Sequence, residues 1–280
     1  MINSEALAIT YGLSTAVTWG AADFSGGFAT KRNSVFMVVL LSQIIGVAFL
    51  ITLAFAFAEK LPGHFSLLIG GLGGISGALG TAALYRGLAQ GHMGVVAPIS
   101  AVVTAILPII FAFFTQGFPK ISQISGFAIA ILSVWFISCA GDSKIRGREL
   151  CLAAGSGLGF GLFFICIGSI SCEAVFWPLV AARFASLGLL SFYIFARRRA
   201  EIPAKNQFPF IALTGILDAG GNAFFALAAQ SGRLDISAVI ASLYPAATIM
   251  LAWFILKERL LYRQWIGVTT ALLSLCLIAL

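Results

Sequence analysis

A chain of 280 residues that is 60% hydrophobic and only 10% charged cannot clothe a soluble globule, whose charged share is about 25%. With a mean hydropathy of +1.03, most of it must have lipid as its solvent. The net charge of +7 does not signal nucleic acid, because the basic residues lie in short loops between apolar runs and form no basic face.

Crossing a hydrocarbon core takes about 20 residues of helix. Ten such spans are predicted, near 7–29, 34–57, 65–89, 93–115, 121–140, 149–171, 174–196, 208–230, 235–256 and 262–280. Charges or Pro/Gly interrupt the apolar pattern at positions 31–33, 59–64, 141–148 and 197–207; weaker breaks fall at 90–92, 171–173 and 231–235. The first run begins by Leu7, behind a segment without Lys or Arg, and the basic pair Lys31-Arg32 follows it. A secretory signal has the opposite order, so this helix is expected to stay in the membrane.

Loops after odd-numbered helices hold Lys31, Arg32, Lys144, Arg146, Arg148, Arg197, Arg198, Arg199, Lys205, Lys257, Arg259 and Arg263, whereas those after even-numbered helices hold Lys60, Lys120 and Arg233. Lys and Arg accumulate on the cytoplasmic side. Twelve against three places the odd loops inside and both termini outside, in a multi-pass protein expected in a bacterial inner membrane.

The halves look related. Trp19-Gly20 answers Phe160-Gly161 at an offset of 141, and Gly91, Gln123 and Gly126 answer Gly232, Gln264 and Gly267 at the same offset. Over the second helix the offset is 140, setting Phe36 against Phe176 and Gln43 against Arg183. Five helices per half is odd, so the second half enters the membrane reversed. The expected fold is an all-α polytopic membrane protein, ten helices in two inverted five-helix repeats, 1–142 and 143–280.

The third helix carries Gly70, Gly71, Gly73, Gly74 and Gly77, and the sixth Gly155, Gly157, Gly159 and Gly161. Glycines four apart give a flat face for close helix packing. Gly74-Ile75-Ser76-Gly77 also matches an intramembrane protease nucleophile motif, but that chemistry needs a histidine beside the serine. His64 and His92 lie 12 and 16 positions away, about 18–24 Å along a helix. The five cysteines show no Cys-x-x-Cys pair, and no metal or cofactor is expected.

A charge at bilayer depth costs a few kcal/mol at least and faces a cavity or a partner. Three are predicted there: Asp23 on the first helix, Arg183 on the seventh and Asp218 on the eighth. Spacings of four put Asn222 on the face of Asp218, and Thr15 and Trp19 on that of Asp23. They likewise pair Thr81 with Tyr85 and Tyr244 with Thr248. With Thr104 and Trp177, these residues are the expected lining of an aqueous cavity for a polar metabolite. Arg183 could hold a substrate carboxylate, and Asp23 or Asp218 an ammonium or a coupling proton. A bare structural pair between Arg183 and Asp218 is the competing reading. Pro98 and Pro108 in the fourth helix, Pro178 in the seventh and Pro245 in the ninth each remove a backbone hydrogen bond, which makes Pro108 and Pro245 candidate gating hinges.

The stretch Ser242-Leu243-Tyr244-Pro245, Leu256-Lys257-Glu258-Arg259-Leu260 and Gln264-Trp265-Ile266-Gly267 closely resembles the EamA-type branch of the drug/metabolite transporter superfamily. Trp19-Gly20 resembles that family's opening motif, and Arg183 falls where its second repeat usually carries an arginine. The resemblance implies a cavity lined by helices 1–4 and 6–9, with helices 5 and 10 peripheral. Members move amino acids, sugars, nucleotide-type metabolites or drugs. Gln116-Gly117-Phe118-Pro119 departs from the family's acidic loop, and Asp23 is not a general family feature, which makes it a candidate specificity element.

The expected function is a secondary carrier, not an enzyme, that exports amino acids or related small polar metabolites by alternating access. No Walker motif is present, so a proton gradient or the substrate gradient would drive it. The alternative is a proton-coupled exporter of hydrophobic cations.

Overall fold

The computed structural model describes residues 4–30, 33–88, 93–138, 147–170, 174–197, 203–257 and 261–279. Among them the chain is helical throughout. The helices are α1 (Ser4–Thr30), α2 (Val35–Ala56), α3 (His64–Leu88), α4 (Met93–Gln116), α5 (Ile121–Ser138), α6 (Gly147–Gly168), α7 (Phe176–Arg197), α8 (Phe208–Ser231), α9 (Leu234–Ala241), α10 (Tyr244–Leu256) and α11 (Tyr262–Ala279). Seven helical stretches are long and apolar enough to cross a membrane: those of α2, α3, α4, α6, α7 and α8, and the run through α9 and α10. α5 is a shorter apolar helix.

α1 falls outside that set because it is studded with hydroxyls. They are accommodated locally: Thr10, Ser14, Thr15, Thr18 and Ser25 each return a hydroxyl to the carbonyl four residues back, at 2.6–2.9 Å. Such back-bonding lets a polar side chain sit on a helix without a donor left in lipid. The molecule's outside inverts the soluble pattern, with Phe55, Phe65, Phe114, Phe192 and Phe195 all exposed. The interior is built instead from small residues such as Ala8, Ala16, Ala22, Ala219 and Ala238.

Those small residues let helices of the two halves press together. α1 packs on α8 and α3 on α6; α2 packs on α8 and α3 on α7; α4 packs on α6, and α1 on α9 and α10. α2 meets α7, α4 meets α9, and α5 meets α11. The glycine-rich faces have two sides each. On α3, a Cβ at Gly70 or Gly74 would run into the backbone of Pro178 or Ala182 on α7, while Gly73 and Gly77 face Cys166 and Phe163 of α6. On α6, Gly157 and Gly161 receive Val103 and Leu107 of α4, and Gly159 lies on Gly80.

Two glutamines stand at the starts of α5 and α11. Gln123 Oε1 accepts the Lys120 N–H at 3.0 Å, and Gln264 Oε1 accepts the Leu261 N–H at 2.9 Å. Each satisfies an orphan amide of a helix N-terminus.

The prolines differ from expectation. Pro178 sits in the first turn of α7, where no intrahelical N–H is required, so it is no internal kink. α4 runs unbroken through the buried Pro108, and the side chain of Pro98 lies outside the described residues. The ninth predicted span is interrupted instead of bent: α9 ends at Ala241 and α10 begins at Tyr244, with Pro245 in its first turn.

Candidate functional site

Between the halves lies a cavity of about 290 Å³. α1, α2, α3, α4, α6, α7 and α8 line it, together with Ser242 at the α9/α10 break and Tyr244 of α10. Among the described residues α5 and α11 contribute none of its lining; the sequence resemblance implied peripheral fifth and tenth helices. Its size is near the lower end of the range for small-molecule sites, about 300–1,000 Å³.

The break next to Tyr244 brings two helix ends to mid-bundle, and α1 supplies the facing wall. Trp19 stacks on Phe164 (centroids 5.5 Å apart) and Phe225 (6.0 Å), and meets Tyr244 edge-on at 6.4 Å. Gly20 lets α10 approach, since a Cβ there would lie 2.8 Å from the Tyr244 carbonyl oxygen. Gly221 clears room for the Trp19 indole in the same way. One turn beyond Trp19, the Asp23 side chain opens into the cavity and is exposed there. Asp218 and Tyr244 lie within electrostatic reach of it.

Across the cavity Arg183 of α7 donates from Nη2 to Asp218 Oδ2 of α8. The two form an ion pair with side-chain exposures of 11% and 38%. Sequence reasoning opposed a structural pair to a cavity group; the structure makes these residues both at once. One turn along α7, the Ser186 hydroxyl donates to Gln43 Oε1 of α2. Thr104 donates to the Ser100 carbonyl at 2.8 Å and reaches the Gly157 carbonyl of α6 at 3.4 Å.

Of the expected lining, the structure gathers Trp19, Asp23, Thr104, Arg183, Asp218, Asn222 and Tyr244 around this cavity. The Tyr85 side chain lies outside the described residues. Trp177 must be reassigned. It stands at the N-terminus of α7, away from the cavity, where its Nε1 donates to the Glu59 carbonyl at 3.0 Å and its ring meets Phe55 edge-on at 5.6 Å. The Glu59 carboxylate in turn accepts the N–H groups of Val175, Phe176 and Trp177 at 2.8–3.0 Å. An anion at a helix N-terminus satisfies orphan amides and complements the helix dipole, so this tryptophan is part of a cap. Thr15 and Thr248 are also structural: Thr15 is fully buried, and Thr248 donates to the Gly20 carbonyl at 3.2 Å.

Residues 147–280 match the EamA-like transporter family. That family is part of the drug/metabolite transporter superfamily, and the match together with the apolar helices marks a multi-pass membrane protein. Among solved structures 29 chains match; one crystal structure, of a protein 16% identical in sequence, superposes with a TM-score of 0.82 and covers 98% of this chain and 98% of its own. That likeness shows the fold. No curated protein matches the sequence.

The site contains polar groups that sequence reasoning did not single out: Ser42, Gln43, Ser186, Thr214 and Ser242. An uncharged amide or hydroxyl in an apolar helix gives no alarm, because it costs little when it bonds its own backbone. Gln43 had one usable signal, the offset of 140 that sets it against Arg183 in the expected repeat.

Proposed function

We propose that this EamA-like transporter is a secondary carrier that exports amino acids or related small polar metabolites by alternating access. The observation that carries the reading is a cavity walled by both halves of the chain, with a cation, two carboxylates and two amides around one space. Wet polar groups enclosed by an apolar bundle are what a carrier needs at mid-membrane, and a scaffold protein has no use for them.

The contact pattern supports ten spans in two inverted repeats. Exchanging α1 with α6, α2 with α7, α3 with α8, α4 with the α9–α10 run and α5 with α11 turns each main helix pairing into another or into itself: α1 on α8 becomes α6 on α3, and α2 on α8 becomes α7 on α3. With the odd loops inside, the lining extends toward Leu84 of α3 and Thr214 of α8, on the cytoplasmic side. The opposite side is bridged by Glu59 on the start of α7, and by Gln116, whose Oε1 accepts the Leu234 N–H at 3.0 Å. This is an inward-facing arrangement. Pro245 at the α9/α10 break and Pro108 within α4 are the hinge positions about which the halves would rock.

The test is counterflow in proteoliposomes with amino acids, sugars and lipophilic cations, with and without a pH gradient. Exchange of amino acids is expected; a protein that moves no solute refutes the carrier reading. Asp23, exposed and next to aromatic walls, favours a second reading, proton-coupled export of hydrophobic cations. In that case Asp23→Ala and Asp218→Ala should abolish the pH dependence of transport, whereas uncoupled metabolite exchange would show none to lose.

A further inference from the structure

We infer that a protonated amine is the obligatory recognition element of the substrate and that Asp23 is its anchor; this rests on the carrier reading above and specifies its substrate class. The inference comes from asking which hydrogen-bonding groups in the cavity are still available.

The serine and threonine hydroxyls are already committed. Ser42 bonds the Val39 carbonyl, Thr81 that of Gly77, Thr104 that of Ser100, Thr214 that of Phe210 and Ser242 that of Ala238, all at 2.7–3.0 Å. Ser186 is spent on Gln43. The Arg183 guanidinium is engaged by Asp218, and its charge is neutralised there.

The groups without a partner among the described residues have a different character. Asp23 lines the cavity with neither a hydrogen bond nor an ion pair, and Asn222 and the Tyr244 hydroxyl likewise have none. An ionised carboxylate only accepts, whereas the amide and the phenol can each donate or accept. A ligand that satisfies Asp23 must therefore bring donors. The formal charges facing the cavity, two carboxylates against one guanidinium, leave it one negative charge in excess, in surroundings of low dielectric where that excess acts strongly. An ammonium group supplies three donors and one positive charge in a single compact head. The helix face that carries Asp23 is anchored one turn away by Trp19, which stacks on Phe164 and Phe225. The remaining guanidinium donors of Arg183 and the Gln43 amide nitrogen lie on the other wall. They can accommodate a carboxylate but do not require one, so amines as well as amino acids should be accepted, and anions lacking nitrogen should be rejected.

The experiment uses the full chain in proteoliposomes, preloaded for counterflow. Leucine, threonine and phenylalanine are each compared with the decarboxylated amine and the 2-hydroxy acid of the same side chain. Expected is exchange of the amino acid and its amine in at least one trio, with the 2-hydroxy acid at least tenfold weaker. Asp23→Asn should reduce amine exchange at least tenfold, and Asp23→Glu, which keeps the charge, should recover part of it. A 2-hydroxy acid that exchanges as well as its amino acid overturns the inference, as does an Asp23→Asn protein that keeps the amine preference. The trio comparison on the unmodified chain needs no variant, so it decides the matter even if Asp23→Asn folds poorly. Exchange of sugars or hydroxy acids without amines sinks the amine requirement and leaves the carrier standing. Exchange of nothing sinks both.

Discussion

Gly74 offers the sharpest test of how the two halves are held. A Cβ placed on it would collide with the Ala182 carbonyl oxygen and lie 2.5 Å from the Ala182 carbonyl carbon and 2.6 Å from its Cα. All three are backbone atoms of α7, so no side chain can swing aside. Ordinary contact begins near 3.4 Å, so α3 and α7 would have to part by roughly 1 Å. A gap of that size forfeits a quarter to a half of the attraction at each contact it opens. Overpacking of this kind costs about 1–3 kcal/mol. For a chain of this size that is a fall in the unfolding midpoint of roughly 2–10 °C. Gly71→Ala is the control, because its Cβ would meet nothing within 4 Å and alanine gains up to about 1 kcal/mol of helix propensity. Thermal unfolding of both variants in detergent should show Gly74→Ala melting early and Gly71→Ala unchanged or raised. Arg183 is the next residue after Ala182, so Gly74→Ala should also lower counterflow. Equal melting of the two variants would mean that α3 and α7 are not in close register at this seam.

Removing Asp218 leaves the Arg183 charge without its partner. Asp218→Ala should therefore destabilise by about 1–3 kcal/mol, and adding Arg183→Leu should restore part of that loss; a double variant no more stable than Asp218→Ala contradicts the pairing. Glu59→Ala withdraws the cap from α7, at about 1–2 kcal/mol by thermal unfolding, and Glu59→Gln, with a single acceptor oxygen, should fall between. Trp177→Phe loses one hydrogen bond, worth about 1 kcal/mol, but should leave apparent substrate affinity unchanged. Trp19→Phe should weaken that affinity, and the reverse ranking in a counterflow titration would return Trp177 to the cavity.

The parts of the site that sequence could reach were those with an energetic penalty attached. Asp23, Arg183 and Asp218 are costly in lipid, so their presence alone announced a cavity or partner, and spacing by four carried Trp19 and Asn222 along with them. Trp177 shows where that logic stops. An aromatic residue is at ease in a core, at a cap or against lipid, and its position depends on the loop that packs over it, here Glu59. Glu59 itself could be read only as a break between apolar runs, because nothing local predicts that its carboxylate accepts amides more than a hundred positions away. The ninth span reads as one apolar run of helical length, and Pro245 predicts a kink within it. The chain instead stops and restarts, with Pro245 in the first turn of α10 and Gly20 of α1 admitting that helix closely, a contact the local sequence does not announce.

The interruption between α9 and α10 has a consequence for any attempt to engineer this interior. Side chains around the cavity can be exchanged one by one for aliphatic ones, but peptide dipoles cannot. The Ser242 and Leu243 amides at the break turn back onto the carbonyls of Ala238 and Ile240, but Pro245 has no N–H to return to the Ala241 carbonyl one turn earlier. A fully aliphatic lining would therefore change what the lumen selects and still leave a backbone acceptor at the break, because proline sets it there.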